Sequence, residues 1–381
     1  MAKTGDSSHA GSAQGNGQSN REQCSGLGEN SSINRDAAVG QTVPTDHVRV
    51  FDLHCDTLDR LVLGDDSFIR LVDGDPSLLC DLGMANQPPP SSQATLKNNS
   101  FHVSLERVAA FDWCQCFAVF IPDALQGETA WRFYQTVKQY FKQQLAEQQD
   151  CLQQAWDFPD IELAFAAARS AAIATIEGAS FFEHSLAPVD EIAQDGVKLI
   201  TLTWNNQNAI AAGAHAQGGF SSFGRKLVAA LEEQQITIDV SHLNDQSFKD
   251  LRSMVRRPFL ASHSNSRAIC NHPRNLTDDQ FRAIQDCGGV VGLNYCNYFL
   301  VEDSRPVMPE DVLRHLDHWL KLDGELNIAL GSDYDGADMP DWLSPCENLS
   351  QLYGHVQQEF GNQIAEKLFF QNAHDFYARN W

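Results

Sequence analysis

Positive charge is what this sequence most lacks. Lys and Arg number 27 against 50 Asp and Glu, a formal charge of −23 over 381 residues. Binding a phosphate backbone requires basic patches, so nucleic acid is not expected among the partners. No apolar run approaches the length of a membrane span. The N-terminus has no basic start followed by an apolar stretch, as a signal peptide would, and the polar tail 371–381 carries no lipid-anchor signal. The corresponding expectation is a soluble, cytoplasmic protein with no membrane partner. Ten cysteines are present, but no Cys-x-x-Cys pair, which sets aside a zinc ribbon or a thioredoxin-type site. Without an export signal the thiols are expected to be reduced. Residues 1–47 are rich in Gly, Ser, Asn and Gln and almost devoid of large apolar side chains. Such a segment cannot offset its ordering entropy, so a disordered leader is expected there.

What is present begins at Val48. Hydrophobic residues make up 43% of the chain, and apolar runs alternate with helical patterns. Strand candidates are 48–54, 113–121, 172–177, 198–204, 236–242, 258–263, 289–295 and 327–333. Helical stretches include 127–150, 222–235, 244–255, 277–286 and 309–321, the fourth opening on the capping-box pattern Thr277-Asp-Asp-Gln280. Cys114 and Cys116 read as small buried residues of the second strand. Continuous apolar strands alternating with helices imply a parallel sheet covered by helices. The expectation is a single domain over 48–381 with an α/β architecture, a (β/α)8 TIM barrel, with a doubly wound open sheet as the alternative. The segment 81–101, with its Pro88-Pro89-Pro90 run, is the longest expected loop and lies between strands 1 and 2.

In such a barrel, chemistry sits at the C-terminal ends of the strands. His54 and Asp56 stand two apart after Val48-Arg49-Val50, so on a strand they project from one face. Glu177, His242, His263 and Asp333 end the third, fifth, sixth and eighth candidate strands. Imidazole nitrogens and carboxylate oxygens gathered in this way can hold divalent metal. Two metals need a bridging anion, which a carboxylate such as Glu177 can supply. His54 and Asp56 would complete one site, His242 and His263 the other, with a shared water between them. Asp333 beside that water could take its proton and pass it to a leaving amine.

These residues carry a resemblance. Asp52-Leu-His54-Cys-Asp56, Ile176-Glu177-Gly178, Leu202-Thr-Trp204-Asn205, Asp239-Val-Ser-His242, Ala261-Ser-His263-Ser264, Pro273-Arg274-Asn275 and Gly331-Ser-Asp333-Tyr-Asp335-Gly336 are similar, in order and over 48–381, to the membrane (renal) dipeptidase family of the amidohydrolase superfamily, in its bacterial form. The resemblance implies a hydrolase with two divalent ions, Zn2+ in that family, that cleaves dipeptides and accepts a D-residue on the C-terminal side. His54 and Asp56 would hold the first zinc, Glu177 would bridge, and His242 and His263 would hold the second. Asp333 would be the acid and base, and Arg274 would grip the substrate carboxylate. Trp204 and Asn205 would line the substrate pocket. Mammalian members carry a substrate-contacting His where this chain has Trp204, so assistance from that position is absent or comes from elsewhere. Family members are often dimers, which leaves room for a homodimer. Other readings stay open: removal of an N-acyl group from a D-amino acid, opening of a lactam, or a metal-binding relative without activity. Cys55 reads as packing, Asp335 as support for the last loop, and His102, His184, His215 and His272 as loop or surface histidines, His215 being the first candidate among them for the pocket lining.

Overall fold

The computed structural model describes residues 48–62, 94–303 and 305–381. The expected leader and most of the expected 81–101 loop lie outside the described residues. The strands are β1 (Arg49–Cys55), β2 (Asp112–Phe120), β3 (Leu152–Gln154), β4 (Ser170–Glu177), β5 (Val197–Thr201), β6 (Thr237–Asp239), β7 (Val291–Leu293) and β8 (Ile328–Leu330). All pair in parallel, in the order β6-β5-β4-β2-β1-β8-β7, and β3 adds to the start of β4. The expected sixth strand, 258–263, is present only as two bridges, Asp239 with Leu260 and Ala261 with Val291. Those bridges join β6 to β7 and close the ring, so the (β/α)8 barrel reading holds. The segment stays short because the Ser262 N–H donates to Asp239 Oδ1 at 2.9 Å instead of to a neighbouring strand. β7 and β8 crowd its carbonyl: a Cβ on Gly292 or Gly331 would stand 1.8 Å from the oxygen of Ser262.

The helices are α1 (Thr57–Val62), α2 (Gly127–Glu147), α3 (Pro159–Ala166), α4 (Pro188–Gln194), α5 (Ser222–Glu233), α6 (Asp245–Arg252), α7 (Asp278–Asp286), α8 (Asn297–Leu300), α9 (Pro309–Leu320), α10 (Leu349–Phe360), α11 (Asn362–Glu366) and α12 (Asn372–Asn380). Their starts follow local chemistry. Ser221 and Asn244 accept the Gly224 and Ser247 N–H groups, and Thr277 and Gln280 form the expected reciprocal box. Among the described residues no helix is long and apolar enough to cross a membrane.

Alternate residues of successive strands meet in one cluster that contains Phe51, Leu53, Cys114, Cys116, Ala171, Ile173, Leu199, Leu260 and Ala329. Phe370, Phe376 and Tyr377 join it from the C-terminal segment, Tyr377 stacking on Phe51 with ring centres 5.2 Å apart. Glu177 lies on the same face of β4 as Ala171 and Ile173, four residues beyond the latter. It therefore emerges from this cluster at the C-terminal end of the strands. The outward residues, such as Trp113, Phe117, Val119 and Ile176, belong to the larger cluster shared with the helices. Cys55 packs there, fully buried, as expected.

Candidate active site

Three of the proposed ligands converge on the Glu177 carboxylate, and Asp56 stands against one of them. His242 Nε2 lies 2.7 Å and His263 Nε2 3.6 Å from Oε1, while His54 Nε2 lies 3.3 Å from Oε2 and 3.3 Å from Asp56 Oδ2. The Nε2 atoms of His242 and His263 face each other at 3.0 Å. Asp333 Oδ1 is 4.0 Å from His54 Nε2. All six side chains are buried.

The strands do not carry every one of them directly. β6 and β8 stop at Asp239 and Leu330, so His242 and Asp333 sit beyond the strand ends and not on them as expected. Both have left-handed backbone, φ 70° and 64°, as does Asp335 at 69°, a conformation that cannot continue a strand and that is costly without glycine. Buried carboxylates impose it. Asp239 Oδ1 accepts the N–H of Ser241, its Oδ2 accepts Thr201 Oγ1 at 2.8 Å, and the Ser262 hydroxyl donates to it as well. Asp52 accepts the N–H and hydroxyl of Ser332 at 2.8 and 2.5 Å and Gln115 Nε2 at 3.0 Å. Asp335 plays the supporting part expected of it: it accepts from the Thr57 hydroxyl and from the His102 N–H, and so pins the strand 8 loop to α1 and to the 94–111 segment.

The tautomers suit metal binding. His242 Nδ1 is 3.0 Å from Asn205 Oδ1, an acceptor, so its proton sits on Nδ1. The Ser262 hydroxyl donates to Asp239, so it accepts from His263 Nδ1 at 2.7 Å. Both Nε2 atoms are then bare lone pairs in mutual contact, an arrangement a cation would relieve. His54 Nε2 and Asp56 Oδ1 are buried with no hydrogen bond among the described residues. His54, Glu177 and His263 on one side, and His54, Asp56 and Asp333 on the other, bring their donor atoms within 4.8 Å of one another. The donor set is imidazole and carboxylate without thiolate, which suits zinc and the harder divalent ions. The residues fit such a group.

Charge is strained here. Burial, and then Asp56 and Asp333, push Glu177 up to about 7 against the pull of His54. Burial disfavours the His54 cation, yet the carboxylates of Asp56 and Glu177 outweigh it and raise that histidine well above its ordinary value. Burial, with His54 and Arg274 nearby, holds His242 and His263 well below theirs.

A cavity of about 360 Å³ opens over this cluster, lined by Asp56, Glu177, Trp204, Asn205, His242, Arg274 and Asp333 among others. A family model now decides the assignment: the membrane dipeptidase model, peptidase family M19, matches residues 46–374. The chain belongs to the membrane dipeptidase family. An uncharacterised Klebsiella pneumoniae protein encoded 5′ of pqqA is 35% identical over 214 residues, 53% of this chain and 79% of that one. A solved dipeptidase of the same family, 25% identical, superposes with a TM-score of 0.75 over 88% of this chain and 99% of its own. A Rhodobacter sphaeroides metallopeptidase liganded with a phosphinate mimic of the dipeptide L-Ala-D-Ala, 24% identical, has the same fold, with a TM-score of 0.75 and the same coverage.

As a family member the chain is a metal-dependent dipeptidase, a peptide hydrolase. The cavity holds more than the sequence reading named. Asp59 and Arg60 of α1, Phe120, His102, His272, Cys296, Tyr298 and Phe299 all line it. His102, His215 and His272 lie in loops, as read, and all three line the cavity, where the sequence marks only His215 as a candidate. His184 is not part of the lining; it packs edge-on to Phe223. No periodic signal marks these residues, because they come from short segments that only tertiary folding brings together.

Proposed function

We propose that this dipeptidase holds two divalent metals, zinc being one of the ions its donors suit, with Glu177 joining them. His54 and Asp56 would hold the first, His242 and His263 the second. The observation that carries this reading is the approach of three histidines from β1, from beyond β6 and from the 260–263 segment to the two oxygens of one buried carboxylate. Metal bound there would polarise the scissile carbonyl and acidify the attacking water.

The chain's own groups do the rest. Asp333 Oδ2 accepts a hydrogen bond from Asn294 Nδ2 at 2.9 Å, which leaves Oδ1, the oxygen nearer His54, free to exchange protons. Oδ1 takes the proton of the attacking water and delivers it to the leaving amine. Burial first, and Asp56 beyond it, raise the Asp333 carboxyl above the usual range, in spite of His54, towards the basicity such a shuttle needs. Arg274, buried in the cavity wall with Nε and Nη2 unpartnered among the described residues, receives the substrate's terminal carboxylate through its fork of donors. Asn205 fixes the His242 ring, and Trp204, with its ring centre 6.1 Å from that of His242, forms the wall beside it.

Acceptance of a D-residue at the second position is part of this reading, supported by the ligand of the Rhodobacter relative. Turnover of L-Ala-D-Ala and L-Ala-L-Ala by metal-reconstituted protein tests it. Hydrolysis of both supports the reading, and no hydrolysis of any dipeptide refutes it. Since Asp333 also stands within ligand range of His54 and Asp56, metal content of Asp333→Asn separates a proton shuttle from a ligand.

A further inference from the structure

The cavity contains a carboxylate that the reaction above does not use. Asp59 lines it from α1 and is only 3% exposed. Its Oδ2 accepts the Phe120 N–H at 2.9 Å, while Oδ1 is buried with no hydrogen-bond partner among the described residues. A buried carboxylate oxygen left bare is costly, so it calls for a donor that arrives with a ligand. The neighbouring side chain does not supply one: the Arg60 guanidinium lies 5.4 Å from the centre of the Phe101 ring, and no ion pair joins it to Asp59. Burial, and then the negative neighbours Asp56 and Glu177, hold the Asp59 carboxyl well above the usual range, which disfavours the carboxylate in the free enzyme and leaves it to an arriving cation to favour the charged form.

Its position says which donor fits. Asp59 is three residues beyond Asp56, on α1, and its bond from the Phe120 N–H ties it to the C-terminal end of β2. Arg274 follows the 260–263 segment that bridges β6 to β7, and its guanidinium packs on the Phe299 ring beyond β7, so it reaches the cavity from across the ring of strands from β2. A substrate whose carboxylate meets Arg274 and whose scissile carbonyl lies over Glu177 has its first residue at the Asp59 end of the cavity. In a dipeptide that end carries an α-ammonium.

We propose that Asp59 Oδ1 receives the α-ammonium of the substrate's first residue, and so makes this site select free dipeptides over N-acyl amino acids. The inference rests on the dipeptidase reading and deepens it. It makes the cavity charge-complementary at both ends, a cation for the carboxylate and an anion for the amine, which measures the substrate at two residues. An N-acyl amino acid presents no ammonium and would leave Asp59 bare in the complex as well.

The test is a double-mutant cycle between enzyme and substrate. L-Ala-D-Ala is compared with propionyl-D-Ala, which has the same shape but a hydrogen in place of the amine, using wild type and Asp59→Asn. Asparagine keeps an oxygen for the Phe120 N–H and removes the charge. Wild type should prefer the free dipeptide in kcat/KM by about 10–100-fold, the usual range for a charged hydrogen bond. In Asp59→Asn that preference should shrink to within about 3-fold, through a higher KM for L-Ala-D-Ala, with propionyl-D-Ala turnover and metal content unchanged. Equal losses on both substrates, or an unaltered preference, overturn the proposal and leave the dipeptidase reading standing. The wild-type comparison needs no variant, so it decides even if Asp59→Asn does not fold: equal turnover of the two substrates overturns the proposal. Wild type inactive on both removes the dipeptidase reading and this inference together.

Discussion

Replacing Arg274 probes the carboxylate grip. The side chain is 5% exposed, its guanidinium lies 5.4 Å from the Phe299 ring centre, and Nε and Nη2 make no hydrogen bond among the described residues. Burial lowers its pKa below the ordinary guanidinium value, in spite of Asp333 and Glu177 nearby. In the free enzyme it is thus a desolvated cation without direct partners, and a substrate carboxylate would be its first bidentate one. Losing one member of such a buried pair costs about 2–4 kcal/mol, which is roughly a 30- to 1000-fold fall in kcat/KM. Arg274→Ala should therefore raise KM for L-Ala-D-Ala and lower kcat/KM by that factor, measured by steady-state release of alanine. Arg274→Lys should recover only part, because a point charge lacks the fork. L-Ala-D-Ala amide, without the carboxylate, should be a poor substrate of wild type and little affected by the mutation. The thermal midpoint of Arg274→Ala should not fall, since removing an unpaired buried charge relieves a desolvation cost. Wild-type enzyme that cleaves amide and free acid equally well would refute the reasoning.

Two further outcomes follow from groups at and away from the site. Asp333→Asn should keep its metal by elemental analysis yet lose about 10²–10⁴ in kcat, the usual contribution of a positioned acid and base; loss of metal instead would make Asp333 a ligand. His315 of α9 should set an acid limb in stability. Its Nδ1 accepts the Ser266 N–H and its Nε2 donates to Leu300 O, each at 3.1 Å, and burial, against the help of that carbonyl, holds it down to about 4. Between about pH 6.5 and 4 the unfolded chain takes up a proton that the folded one refuses. Stability should therefore fall as pH drops through that window, by up to about 3 kcal/mol. Urea melts of metal-free protein should show this limb flattened in His315→Gln, and an unchanged limb would disprove the assignment.

The barrel was legible because its strands are continuous apolar runs and its helices begin at caps that local residues supply. Ser221, Asn244 and Thr277 place three helix starts within a residue of expectation. The six clustered side chains were legible for the same reason: each closes an apolar run, and alternation along β4 aims Glu177 at the others. What local pattern could not give is the geometry beyond the strand ends. The left-handed turns at His242 and Asp333 depend on Asp239 and Asp52, whose partners Thr201, Ser262, Gln115 and Ser332 are remote in sequence. β3 has only three residues, too few for a periodic signal. Asp59 belongs to no motif of the sequence; only the fold shows one of its oxygens to be bare in the cavity wall.

The central claim is that Glu177 joins two metals into one catalytic unit, and a metal titration tests it most directly. Protein stripped by exhaustive chelation is titrated with Zn2+ while hydrolysis of L-Ala-D-Ala and bound metal are followed together. The account predicts no turnover without metal, activity that saturates at two equivalents per chain, and Glu177→Gln that fails to retain either ion. Full activity in the stripped protein, or saturation at one equivalent with Glu177→Gln binding as wild type does, would contradict it.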